Sequence, residues 1–412
     1  MRAILGLVVA TSALSLPALP RSRALKASGG VAEKNHAART LAAASAYSVV
    51  GGSFNLWSLF VPGLQDSLGC TRAALSGVFG LSTTAFTLGA SLGARVFGRT
   101  SVPAAVLATG WCSAAGLVAA SRAPSLPALA LAYAGVFGTS SGVAYALNAK
   151  IATAPGLFAG WRGAATSLVV SCRALGAPAL APAARRALAA GGAAAALRSV
   201  ALAVAALSVP VAAALRRATW DDLLRAPAET AAEAPAERGG LAKLWLVFFL
   251  GAFPGLLAQG HAGAMVASVG GSAAAGVAAL GAGSLAGRLA SGVAADLVGP
   301  RACLAAGSLA AAAAIAAAPP LPGVAPVLAA LFAIGLAYGL NAVVIPVLTS
   351  TLVGPRAFSR SYGVVLTAWG AAGLCAPVLA GALFDATGAY DAALLAAAAC
   401  LAVASALVVT RT

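Results

Sequence analysis

Two arginines stand inside long apolar runs. Arg288 lies in Gly287-Arg288-Leu289-Ala290-Ser291-Gly292, which leads to the polar turn Asp296-Leu297-Val298-Gly299-Pro300-Arg301. A helix rises ~1.5 Å per residue, so Arg288 lies about 12 Å from Asp296, against about 15 Å for half the hydrocarbon core of a bilayer. Arg173 lies eleven residues past Arg162, about 16 Å along a helix. A cation at that depth costs roughly 2.5–3.5 kcal/mol on insertion scales and faces a cavity or a partner. Guanidinium pairs bidentately with carboxylate, best where water is excluded. The chemistry on offer is the binding of a small anion. Two readings of Arg173 stand: a second positive charge for a dianion, or a group that binds helix carbonyls or faces water.

Other residues bear on such a site. Tyr145, Trp57, Phe60 and Trp369 give either an aromatic lining with an occasional polar edge or ordinary packing. His261 is the candidate for proton coupling, because histidine is the side chain that changes charge near neutral pH; the alternative is a satisfied polar contact. Asn148 and Asn341 are expected to hydrogen-bond across helices. Apart from Asp391 at the start of the last one, no acid lies within the apolar runs, no metal-type or C-x-x-C spacing joins the six cysteines, and no G-x-x-x-x-G-K-[ST] is present. The sequence implies no enzyme, no cofactor and no metal site. The cysteines read as small apolar residues packed between helices.

The elements that position these residues are membrane spans. The chain has 412 residues, 61% hydrophobic and 9% charged, with mean hydropathy +0.94, where a soluble domain carries roughly 25% charged residues. The formal charge of +16 is dispersed between apolar segments without aromatic interleaving, which argues against nucleic acid as a partner. The partners are the bilayer and a small molecule, and a monomer is expected.

Residues 1–40 stand apart: a short apolar run from Ala3 to Leu19, then Arg21, Arg23, Lys26, Lys34 and Arg39 with Glu33 the single acid. This has the shape of a signal or transit peptide, or of a disordered tail. From Leu41 the sequence predicts twelve helices, over 41–64, 74–96, 102–121, 126–148, 163–183, 192–215, 243–266, 272–294, 302–318, 324–349, 359–383 and 390–410. Residues 216–242 form a polar connector between a bundle over 41–215 and a bundle over 243–410. Glycines at Gly89-x-x-x-Gly93 and Gly283-x-x-x-Gly287 let helices approach closely. Arginines and lysines concentrate in the even-numbered loops, which places both termini and the connector on the cytoplasmic or equivalent side. The membrane itself, plasma or organellar, is left open.

The halves repeat. Gly142-Val-Ala-Tyr145-Ala-Leu-Asn148-Ala149 recurs as Gly335-Leu-Ala-Tyr338-Gly-Leu-Asn341-Ala342, and Gly176-Ala-Pro178-Ala-Leu-Ala181 as Cys375-Ala-Pro377-Val-Leu-Ala380, at offsets of 193 and 199 residues. Repeated halves are characteristic of secondary transporters, with the site at the repeat interface.

On these features the chain resembles the major facilitator superfamily, whose loop motif G-x-x-x-D-R-x-G-R/K is matched after the eighth span by Asp296-x-x-Gly299-Pro300-Arg301. The copy after the second span, Arg95-Val-Phe-Gly98-Arg99, has arginine where the family has its latching aspartate, so that gating contact is in doubt. Within the superfamily the chain is most similar to oxalate/formate antiporters and monocarboxylate transporters. The similarity rests on Trp57-Ser-Leu-Phe-Val-Pro62, Leu68-Gly-Cys-Thr-Arg72-Ala-Ala-Leu-Ser76, Trp161-Arg162-Gly163, Gly255-Leu-Leu-Ala-Gln-Gly-His261, Gly287-Arg288-Leu289, Ser361-Tyr362-Gly363 and Phe384-Asp385-x-Thr-Gly388-x-Tyr390.

The resemblance implies an all-α membrane protein with twelve helices in two pseudo-symmetric six-helix bundles. It implies a substrate-binding role for Arg288 and gating roles for Asp296, Gly299, Arg301, Arg95 and Gly98. Trp369 stands where oxalate carriers have a lysine, and Ser284 where proton-coupled carriers have an aspartate. The function expected is transport of small organic anions such as formate, oxalate, lactate or pyruvate by alternating access, with exchange favoured over proton symport. The alternatives are a carrier of a neutral or cationic solute and a non-transporting sensor.

Overall fold

The computed structural model describes residues 31–70, 72–96, 99–154, 157–158, 161–224, 238–319 and 321–410. The apolar run at 3–19, the acids at 229, 233 and 237, Gly98 and the side chain of Arg95 lie outside the described residues.

The described chain is helical. The first helix, Val31–Gly51, passes through a 3-10 turn, Gly52–Leu56, into Trp57–Leu68. It starts ten residues before the expected 41, because residues 31–40 hold no proline or glycine and are rich in Ala, Glu, Lys and Arg, all good helix formers. Arg72–Val96 and Val102–Ala120 follow. The next helix covers Leu126–Ala152, with a π-helical stretch at Ala130–Gly138 that periodicity did not foretell. Arg162–Ala214 is continuous in hydrogen bonding but breaks at Gly191 and Gly192, the latter at φ +69°. Val324–Thr387 breaks in the same way at Gly354, φ +73°. A left-handed backbone costs glycine little and other residues more, so these glycines divide two long rods into the four expected crossings.

Arg238–Ala267, Ala273–Val298, Pro300–Ala316 and Asp391–Val409 complete the set. Among the described residues, eight helices are long and apolar enough to cross a membrane, and Pro300–Ala316 is a shorter apolar one. One of the eight is Arg162–Ala214, which holds two of the expected spans. The chain is a multi-pass membrane protein. The six cysteines are free, but Cys112 and Cys375 are exposed rather than packed; an apolar thiol is tolerated on an outer helix face that meets lipid.

The chain forms two compact units, Met1–Ala165 with Val169–Ala232, and Glu233–Thr412 with Thr166–Leu168. In the first, a Cβ at Gly89 would overlap the Thr139 carbonyl oxygen, and one at Gly142 the Phe86 carbonyl oxygen. In the second, a Cβ at Gly283 would overlap the Phe332 carbonyl oxygen, and one at Gly335 that of Leu280. Gly283 follows Gly89, and Leu280 follows Phe86, by 194 positions; Phe332 follows Thr139, and Gly335 follows Gly142, by 193. The sequence repeat is therefore one backbone-to-backbone contact made twice. The second unit extends it by one turn: Gly287 lies against the Leu336 carbonyl and Gly339 against that of Ser284.

The polar connector begins with a short helix, Trp220–Leu224. Within the first unit, the Lys150 ammonium lies 5.0 Å from the centre of the Trp220 ring.

Gly335→Val should lower the melting temperature and the yield of monodisperse protein, since overpacking of a tight contact costs about 1–3 kcal/mol. Gly281→Ala, where an added methyl meets nothing within 4 Å, should leave both unchanged. Fluorescence-detected size exclusion and thermal unfolding in detergent measure the difference.

Candidate functional site: an arginine on a tyrosine face in each unit

In the second unit, Arg288 sits in the middle of Ala273–Val298 and is half-buried. The four-glycine contact brings this helix so close to Val324–Gly354 that Gly339 lies against the Arg288 backbone nitrogen. The Arg288 guanidinium carbon then lies 5.9 Å from the centre of the Tyr338 ring, at the reach of a cation–π contact. Tyr338 is held on two further sides. A Cβ at Gly255 would overlap its ring, and the Trp369 indole N–H donates to its hydroxyl at 2.9 Å. Three separate helical segments thus converge on one phenol that carries a guanidinium on its face.

In the first unit, Arg173 makes the corresponding contact from a different helix. It lies in Arg162–Ala214, upstream of the Gly191 break. Its guanidinium carbon is 5.1 Å from the centre of the Phe86 ring and 5.2 Å from that of Tyr145. The two rings are themselves 5.4 Å apart. A Cβ at Gly51 would come within 2.6 Å of the Arg173 guanidinium, so that glycine leaves the space the side chain fills.

A ring over its face leaves a guanidinium to donate in plane, along its edges. That is the geometry in which arginine meets a planar anion such as a carboxylate. The aromatic face also offsets part of the cost of placing the charge at depth, by roughly 0.5–2 kcal/mol.

The other expected residues are placed as follows. Tyr145 and Trp369 stand with the two arginines, as described. Trp57 is buried, 4.4 Å from the Tyr133 ring and 6.1 Å from that of Phe79. It belongs to a run of rings that continues through Phe137 and Phe54 to Phe86, and so reaches Arg173 only through its neighbours. Phe60 is wholly buried.

His261 lies between the Tyr390 hydroxyl, 3.2 Å from Nδ1, and the Pro377 carbonyl, 3.0 Å from Nε2. A carbonyl only accepts, so Nε2 carries the proton and Nδ1 accepts from Tyr390 in the neutral ring. Both ring nitrogens thus have a polar partner. Asn148 does bond across helices, its amide donating to Ser48 Oγ at 3.2 Å. Asn341 instead donates to Ala337 in its own helix at 2.9 Å.

Gly299 takes φ +89° and joins the end of one helix to Pro300 at the start of the next. The G-P pair is the hinge of a tight turn, with proline at the helix position that lacks a hydrogen-bond partner in any case. Asp296 and Arg301 flank it and are exposed. Arg95 lies in the last turn of Arg72–Val96, its side chain outside the described residues.

Sequence reasoning left out Tyr338 and Phe86. Tyr338 was within reach: it is the repeat partner of Tyr145, which the sequence did single out. Phe86 carries no motif, and its role appears only once the helices are packed.

Trp369→Phe and Tyr338→Phe should each destabilise the protein by about 0.5–1.5 kcal/mol, the range of one hydrogen bond. The double variant should cost little more than either single one, and a double-mutant cycle on thermal unfolding reads this coupling.

No family model matches the chain, and no curated protein matches it. Solved structures do. A proton:xylose symporter of the major facilitator superfamily, XylE, bound to 6-bromo-6-deoxy-D-glucose, aligns with TM-score 0.70 at 13% identity, covering 90% of this chain and 95% of that one. The superfamily transporter FucP in its outward conformation aligns with TM-score 0.59 at 16% identity, covering 90% and 99%. A variant of the E. coli fucose:proton symporter FucP aligns with TM-score 0.63 at 17% identity, covering 90% and 98%. At such identities the likeness is one of architecture, and it joins the glycine-paired repeat to one conclusion: this chain has the major facilitator fold.

Proposed function

We propose that the protein is a secondary transporter of small organic anions, mono- or dicarboxylates of the size of formate, oxalate, lactate or pyruvate, working by alternating access. The observation that carries the reading is the half-buried Arg288 guanidinium on the Tyr338 face at mid-helix. Arg173 on Phe86 and Tyr145 supports it from the other unit. Arginine in such a place binds carboxylate edge-on while the ring covers one face.

Exchange is favoured over proton symport. An empty cationic site is costly to reorient through a bilayer, while a loaded one is neutralised. His261, the candidate proton carrier, has both ring nitrogens engaged by Tyr390 and Pro377. A second reading is a carrier of a neutral solute, favoured by the solved neighbours, which are named as xylose and fucose proton symporters.

Counterflow in proteoliposomes separates them. Vesicles preloaded with one carboxylate should take up labelled formate, oxalate, lactate or pyruvate whether or not a pH gradient is imposed. Arg288→Gln should weaken apparent affinity about 10- to 100-fold, the worth of a charged hydrogen-bond pair; undiminished uptake would exclude the anion reading. Arg173→Ala should abolish dicarboxylate uptake and spare monocarboxylates, whereas unchanged uptake of both would remove Arg173 from the site. In the second reading, xylose or fucose would be taken up and Arg288→Gln would leave that uptake intact.

A further inference from the structure

A cleft of about 210 Å³ opens within the second unit, away from Arg288 and Tyr338. Its floor is apolar, built by Leu244, Val247, Leu348 and Leu352, and its charged members are Lys243 and Arg301. None of its lining residues is acidic. The lining comes from helix ends. Lys243 lies in the second turn of Arg238–Ala267, and Arg301 is the second residue of Pro300–Ala316. Leu348 and Leu352 lie in the last turns before the Gly354 break.

These ends lie about where the hydrocarbon core meets water, given the helix lengths of roughly 30 Å that a bilayer demands. They also lie on the side to which the loop charges assign the cytoplasm.

Both cations are presented rather than consumed. Lys243 is anchored by donating to the Thr410 backbone carbonyl and, at 2.8 Å, to the Thr410 hydroxyl. An ammonium has three donors, so one remains. Arg301 is held at the mouth by the Gly299-Pro300 turn and is exposed.

A soluble anion has no use for the leucine and valine floor, and a zwitterionic lipid gains little from two cations without an acid beside them. An anionic phospholipid uses both: its phosphate meets Lys243 and Arg301, and its first acyl methylenes lie on the floor. Basic pockets between helices on the cytoplasmic side suit such headgroups, and that leaflet is the anionic one.

We infer that this cleft is a binding site for an anionic phospholipid of the surrounding leaflet. The inference stands apart from the substrate reading, since no residue of the cleft belongs to the arginine–tyrosine arrangements.

The test uses the full purified chain in detergent, with dioleoyl phosphatidylglycerol, dioleoyl phosphatidylcholine or inorganic phosphate added. Retained lipid is counted by native mass spectrometry, and the melting temperature is followed in parallel. Phosphatidylglycerol should be retained and should raise the melting temperature, and phosphatidylcholine and phosphate should do neither. Arg301→Gln, at an exposed turn position, should cut retained phosphatidylglycerol at least fivefold, and Arg301→Glu should abolish it. Arg122→Gln, an exposed arginine of the first unit, should retain the full amount. Equal retention of the two lipids, a shift reproduced by phosphate alone, or undiminished retention in both Arg301 variants would overturn the inference.

Discussion

A guanidinium deep in a bilayer must be compensated, and the rest of this structure follows from how that is done. The cost at the centre of a span is roughly 2.5–3.5 kcal/mol on insertion scales. In each unit an aromatic face takes up part of it: Tyr338 under Arg288, and Phe86 with Tyr145 under Arg173. A ring can serve this way only if its helix is brought close and its orientation is fixed. Glycine backbones supply the closeness, with Gly283, Gly287, Gly335 and Gly339 each lying against a carbonyl of the facing helix. The Trp369 indole and the space at Gly255 fix the ring. Small residues, aromatic face and cation form one device, and replacing any of them alone misplaces the others.

Much of this could be read from residues alone, for a physical reason. Hydropathy, charge-free runs and glycine spacing report on the bilayer as solvent, which constrains every span in the same way. The crossings, the breaks between them and the two deep arginines therefore stood out before any coordinates. What stayed hidden depends on which faces meet. Phe86 looks like any apolar residue of its helix until Gly142 is found against its carbonyl. The π stretch at Ala130–Gly138 leaves no mark on a sequence in which every neighbour is small or apolar. The early start at Val31 was missed because polar residues suggested a tail, yet helix propensity there is high and a helix can continue past the edge of a membrane.

The two units share their scaffold and differ in their charges. Tyr145 and Tyr338 hold corresponding places in the repeat, and each carries an arginine on its face. One arginine comes from the segment before the Gly191 break and the other from Ala273–Val298, which are not corresponding helices in the order of the two halves. Duplication of a half would put the cation on the same helix twice. What recurs is the tyrosine, so the element common to the two units is the face that receives a charge, and the charge reaches it from a different helix in each.

The ring beneath each arginine bears on the energetics of its charge. Among the described residues, the seven acids fall near helix ends or in the short connector helix. An aromatic face lowers the cost of a buried cation without cancelling its charge, because a quadrupole adds no net negative charge. A protein carboxylate paired permanently with the arginine would cancel it and leave a substrate anion with little to gain. A ring therefore eases the burial of the guanidinium and leaves its positive charge in place. On the proposed function, a carboxylate would gain charge-assisted hydrogen bonds at the guanidinium edge, and its departure would leave the positive charge for the next anion to neutralise. On the function proposed above, the same arithmetic would favour one anion following another over an anion accompanied by a proton.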